Sequence, residues 1–190
     1  LTPHPTSPRE RTVVFMFPGH GAQYIQMTHG LYTTEPTFRD ALDECATLLL
    51  PHIGRDLRQV VFGDDERVLE QMSLSQPIMF AIEYALAQLW ISWGITPTAL
   101  AGHSMGENTA ACVAGVFGFE DCIGLVHLRG KLFDTVPAGG MLSVAMAADD
   151  LRPLLGDNLD LGAVNAPELS VASGPQAALD VLEADLNARD

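Results

Sequence analysis

The stretch Ala101 to Glu107, AGHSMGE, carries a serine between two glycines, Gly102-x-Ser104-x-Gly106. A serine held at a sharp turn between a strand and a helix needs neighbours without side chains, because the backbones on either side come very close. The residues before it, TALAG (98–102), are apolar and short enough for a strand, and those after it, from Met105 to about Gly115, suit a helix. Three common residues at this spacing also recur by chance. Taken alone, the pattern leaves open a nucleophile and an ordinary serine opening a helix.

Working outward, TVVFMF (12–17) is a β-branched and aromatic run closed by Pro18 and Gly19, the pattern of a central strand buried on both faces of a parallel sheet. Between Pro36 and Pro51, Phe38, Ala41, Leu42, Cys45, Leu48 and Leu49 fall at the three-four spacing of one buried helix face. Ser75 and Pro77 read as the cap and first-turn proline of a second helix ending near Gly94, and a third runs from Glu120 to Thr135. Strand and helix alternate, so the class is α/β. From Met141 the rhythm changes to strand, helix, strand, strand, helix, most of a ferredoxin-like βαββαβ unit lacking its last strand. The expected organisation is a linker over 1–11, a large subdomain over 12–140 and a small one over 141–190.

Composition narrows the function. The 190 residues include 24 acidic and 10 basic side chains, a formal net charge of −14, and no cluster of Lys or Arg, which argues against nucleic-acid binding. The three cysteines are widely spaced in apolar stretches, as expected for buried thiols in a reducing compartment rather than for disulfides or a metal site. No apolar run reaches membrane-spanning length and the polar, proline-rich start is unlike a signal peptide, so a soluble cytoplasmic protein without membrane or nucleic-acid partners is expected.

Arg129 stands out. On a helical wheel it falls amid the apolar stripe of Cys122, Leu125, Val126, Leu132, Phe133 and Val136, while Glu120, His127, Lys131 and Asp134 take the polar face. A guanidinium keeps its charge, so Arg129 should meet a carboxylate, either in a structural ion pair or on a ligand. FPGHGAQ (17–23) is a glycine-rich turn on the carboxyl edge of the first strand, where α/β sheets place ligands. It is either a plain tight turn or the source of a second oxyanion-binding N–H, from Gln23, beside that of Met105. Of the six histidines none is a convincing base: His4 is in the linker, His29 and His52 lie near helix or loop ends, and His127 faces solvent. His103 diverges from Ser104, and His20 serves only if its loop folds over the serine. Trp90 and Trp93 read as core and rim packing.

FPGHGAQ, SQPIMFAIEYALA, GHSMGE, LVHLRGKL and NAPELSVASG, in this order, resemble the acyltransferase domains of polyketide synthases, relatives of the malonyl-CoA:acyl-carrier-protein transacylases. The resemblance covers nearly the whole chain from about Val13. It implies an α/β-hydrolase-like large subdomain with an inserted ferredoxin-like small one, here incomplete. Ser104 is then the nucleophile that takes an acyl group from a coenzyme A thioester, with the Gln23 and Met105 amides as oxyanion hole. Arg129 grips the free carboxylate of a malonyl-type unit, and Gln76, His103 and Asn165 support the site. The acyl-serine is attacked by the phosphopantetheine thiol of an acyl carrier protein, with neighbouring synthase domains as partners and no permanently bound cofactor or metal. His20 stands where the family usually has Gln. The family's catalytic histidine lies in a motif beyond Asp190, and Met105 sits where the family places an aliphatic residue for malonyl and Gln for methylmalonyl. The residues by themselves also leave room for a serine esterase or thioesterase sharing the elbow, and for a non-catalytic half-domain.

Overall fold

A computed structural model describes residues 12–189; the expected linker and His4 lie outside the described residues. The chain forms two compact units, Leu1–Thr135 and Val136–Asp190. In the first, β1 (Val14–Phe17) leads through the glycine-rich turn to α1 (His29–Thr34) and α2 (Pro36–Ile53). Pro36 starts α2 with its φ already set for a helix, and Gly54, at φ +70°, closes it in the left-handed conformation that only glycine adopts freely. After α3 (Leu57–Val61) and a 3-10 turn comes α4 (Met72–Ser92), followed by β2 (Ala99–Gly102), α5 (Gly106–Val113) and α6 (Phe119–Phe133).

α4 is apolar all round and forms the hub, with α2, α5 and α6 packed against it. Phe38, Leu42, Leu49, Ile78, Phe80, Ile82, Cys122 and Val126 fill the core between them. Gly130 lets α6 meet the start of α4, since a Cβ there would strike the Met72 carbonyl.

Three expectations are corrected here. α4 begins at Met72, not at Ser75, so Pro77 lies inside it. The first turn is already closed upstream, where the Leu74 and Ser75 amides both donate to the Gln71 carbonyl and the Met72 amide donates to Asp134 Oδ1 at 3.1 Å. β1 is not buried on both faces, since Val14 is 53% and Met16 80% exposed. Among the described residues its sheet has only two strands, β1 and β2, paired in parallel with Val14 opposite Ala99 and Phe17 opposite Gly102. An open apolar groove of about 540 Å³ runs beside β1, walled by Met16, Met79, Ile82, Leu86 and Trp90. Trp90 and Trp93 stack edge to face at 5.3 Å and are both exposed, so neither belongs to the core.

The second unit runs β3 (Gly140–Val144), α7 (Ala148–Leu151), β4 (Asp160–Ala166), β5 (Leu169–Gly174) and α8 (Gln176–Asn187). Its sheet is antiparallel in the order β3-β5-β4, the arrangement that the first three strands of a βαββαβ unit adopt. Val144, Leu151, Leu159, Ala172, Leu179 and Leu182 form its own core.

One buried charge-bearing group ties α4 to α5. Thr109 Oγ1 donates to Glu83 Oε2 at 2.6 Å, while Glu83 Oε1 has no partner among the described residues. Burial pushes the Glu83 carboxyl up to about 7, against the pull of the Thr109 hydrogen bond. Because the folded state binds this proton more tightly than the unfolded chain, its contribution is fully present below about pH 4.5. It falls away as pH rises through about 7, on the order of 3 kcal/mol in all. Glu83→Gln should therefore flatten that part of the pH–stability curve and stabilise the protein at pH 8, as urea denaturation from pH 4.5 to 8 will read.

Candidate active site

The elbow is built by backbone contact. A Cβ on Gly102 would run into the Gly106–Glu107 backbone, and one on Gly106 into the Phe17 and Pro18 carbonyls. Both positions are closed to any side chain, so β1, β2 and the start of α5 meet at van der Waals distance. The His103 amide donates to the Phe17 carbonyl at 3.0 Å, extending the parallel ladder one residue past the strands. The chain then reverses within a single residue: Ser104 sits at φ +53°, a left-handed conformation that costs a non-glycine residue about 1 kcal/mol or more. Strain at a surface serine between a strand and a helix presents its Oγ above the sheet edge.

Met105, by contrast, is fully buried, and its amide takes no part in the turn, whose bonds run from Gly106 to His103 and from Glu107 to Ser104. The glycine-rich turn after β1 lies against the serine, with an added Cβ on Gly19 only 3.0 Å from Ser104 Cβ and 3.3 Å from the His103 ring. Within that turn Gln23 Oε1 accepts from the Gly21 amide at 2.7 Å, and Gln23 Nε2 bonds His20 Nε2 at 2.7 Å. The Gln23 side chain therefore braces its own loop, and the His20 ring is tied to it.

Arg129 reaches the serine from α6. Its Nη2 donates to Ser104 Oγ at 3.2 Å, and its guanidinium lies 5.5 Å from the Phe133 ring centroid in a cation–π contact. The other terminal nitrogen, Nη1, is buried without a partner among the described residues. Burial lowers the Arg129 pKa and nearby Glu107 pulls it back up, yet the group stays ionised, as guanidinium does in proteins. A half-buried, half-paired fork beside a strained serine is electrostatically unfinished.

The wheel reading of α6 needs correction. The helix buries Cys122, Ile123, Val126 and Gly130 against its neighbours, whereas Leu125, Leu132 and Phe133 are exposed. Gly130 sets this rotation, because the contact with Met72 fixes which side of α6 faces α4. Arg129 thus stands at the edge of the buried face rather than in its middle. His127, expected in solvent, is half-buried with its ring 5.2 Å from that of His52 on the last turn of α2.

Of the remaining expected residues, Gln76 is buried in α4, its Nε2 4.0 Å from Met72 Sδ and its Oε1 unpartnered among the described residues. His103 is exposed beside the serine and Asn165 lies on β4 in the second unit. The pairing of Phe133 with Arg129 went unread in the sequence, although the i, i+4 spacing was there to be seen. Among the described residues no cluster of His, Cys, Asp or Glu is arranged to hold a metal ion, and no helix is long and apolar enough to cross a membrane.

Compared with known proteins, the chain matches the acyl transferase domain family over residues 14–190. It belongs to that family. Mycoketide-CoA synthase of Mycobacterium tuberculosis is 43% identical over 92% of this chain, which covers 4% of that protein. Erythronolide synthase EryA2 of Saccharopolyspora erythraea is 37% identical over 98% of this chain and 5% of its own length. Among solved structures, the acyl transferase domain of SpnD in complex with 2-(pent-4-yn-1-yl)malonyl superposes with a TM-score of 0.88 at 40% identity, covering 100% of this chain and 45% of that one. A type II polyketide synthase acyl-carrier protein in complex with its malonyl-transacylase gives 0.83 at 28% identity, covering 94% and 60%. The family is the one found in polyketide synthases, and the α/β architecture is that of their acyl transferase domains. The chain spans a small fraction of the multidomain relatives and about half of the solved acyl transferase chain it most fully overlays.

The elbow geometry yields a direct test. Ser104→Gly removes the left-handed penalty and should raise unfolding stability by about 1 kcal/mol in chemical denaturation, while deleting the side-chain hydrogen bond to Arg129. A variant no more stable than the parent would show that the turn is unstrained.

Proposed function

We propose that this chain is the Ser104-bearing part of an acyltransferase that moves a malonyl-type unit from coenzyme A to an acyl carrier protein in polyketide biosynthesis. The observation that carries this reading is the Arg129 fork, with one nitrogen 3.2 Å from Ser104 Oγ and the other buried without a partner among the described residues. A substrate with a free carboxylate completes that fork by a charge-assisted, two-point contact and brings its thioester carbonyl to the serine. Family membership and the malonyl-type group on the SpnD domain support the same chemistry.

The steps follow from the atoms. Ser104 Oγ adds to the thioester carbonyl, and the oxyanion is received by the amides of Met105 and Gln23. The C–S bond breaks, the coenzyme A thiol leaves with the proton, and an acyl ester remains on Ser104. The phosphopantetheine thiol of the carrier protein then adds to that ester, and Ser104 recovers its proton as the thioester forms. By the family resemblance, the general base comes from a histidine motif that follows the position of Asp190. Gln76, His103 and Asn165 are assigned supporting roles, and 12–140 and 141–190 the two subdomains of a cytoplasmic synthase. Met105, aliphatic and buried behind the serine, supports malonyl over methylmalonyl.

Incubating the protein that carries this chain with malonyl-CoA should leave one malonyl group on Ser104 by intact mass and peptide mapping, and none in Ser104→Ala. Arg129→Ala should lose about 100-fold or more in kcat/KM for malonyl-CoA while acylation by acetyl-CoA holds or improves. Fast hydrolysis of neutral esters that survives Arg129→Ala would instead identify an esterase.

A further inference from the structure

On the side of α6 away from Arg129 lies a polar pocket of about 290 Å³, lined by His52 in the last turn of α2, Arg55 just after that helix, Gln71 and Ser73 at the start of α4, His127 and Lys131 on α6, and Asp134 at the C-terminal end of α6. His127 and Lys131 are each about 160° around the helix from Arg129, so this pocket is separate from the serine site. In a chain of net charge −14 it gathers the single lysine, one arginine and two of the six histidines. Neither Arg55 nor Lys131 has an ion-pair partner among the described residues, whose ion pairs all involve Arg58 or Arg67. His127 Nδ1 is buried without a hydrogen-bond partner among them.

The start of α4 adds to this. Asp134 Oδ1 already accepts from the Met72 amide at 3.1 Å, so this helix end holds one carboxylate oxygen. Ser73, one residue further on, lines the pocket, and neither its amide nor its hydroxyl has a hydrogen-bond partner among the described residues. Cations, imidazoles and helix-terminal donors converging on one cavity make up the donor set that a tetrahedral dianion satisfies.

We propose that this pocket binds a phosphate-class dianion, either free phosphate or the phosphomonoester end of a small molecule. Arg55 and Lys131 supply the charge, Ser73 the neutral donors, and His52 and His127 further ring N–H donors. Asp134 is the opposing charge in the pocket and sets a ceiling on affinity. Burial, then His52 and Lys131, holds His127 below its ordinary value, and an anion seated beside it favours a proton on that ring as pH falls.

Isothermal titration of the purified protein with inorganic phosphate and with glycerol 1-phosphate tests the site. We expect saturation at a Kd of about 1 mM or below, with the tighter of the two probes naming the source. Arg55→Ala/Lys131→Ala should weaken binding about tenfold or more at an unchanged melting temperature. Sulfate, which stays a dianion throughout, should bind several-fold more tightly at pH 6 than at pH 8, and His127→Gln should remove that dependence. Failure of both phosphates to saturate by about 50 mM, or full affinity in the double variant, would overturn the proposal. If the double variant does not fold, a His127→Gln protein whose sulfate affinity keeps its pH dependence does so instead.

Discussion

Everything at the serine depends on how closely three backbones approach one another. Gly102 and Gly106 leave no room for a Cβ between β1, β2 and the start of α5, and that contact forces the reversal at Ser104 into left-handed space. A side chain at either glycine would move α5 away from the sheet and take the Met105 amide with it. The strain at one residue is held by the rigid packing of its neighbours, which is how a locally unfavourable conformation persists in a folded protein.

The second constraint is electrostatic. α4 and α6 are packed mainly through apolar contact, yet Glu83 and Arg129 are each left incompletely paired among the described residues. Glu83 answers burial by holding its proton, since a carboxyl can become neutral. Arg129 has no such recourse, so its exposed bond to Ser104 and its contact with Phe133 only partly compensate the cost of burial. One buried group can become neutral and the other stays charged, so only Arg129 keeps an uncompensated charge beside Ser104.

The elbow was readable because its requirements are local: an apolar strand, two glycines and a helix within ten residues. The small unit was equally legible, its order of strands and helices being enough to give the sheet order β3-β5-β4. What failed were readings that depend on neighbours. The wheel placed Leu132 and Phe133 inward, but the Gly130–Met72 contact rotates α6 and leaves both exposed. Pro77 signalled a helix start, yet Asp134, 62 residues away in the chain, caps the helix at Met72. The His52–His127 contact joins the last turn of α2 to the middle of α6 and has no signature in either one.

The parallel pairing of β1 with β2 has a consequence for how the protein is made. Val14 and Ala99 become neighbours only after closing a loop of about 85 residues, whereas the helices between them form from contacts nearer in sequence. During synthesis α2 and α4 can pack together while the first strand still waits for its partner. The turn that carries Ser104 therefore takes its strained shape only once β1 and β2 have paired, and until then the serine sits in an unstrained, unselective conformation.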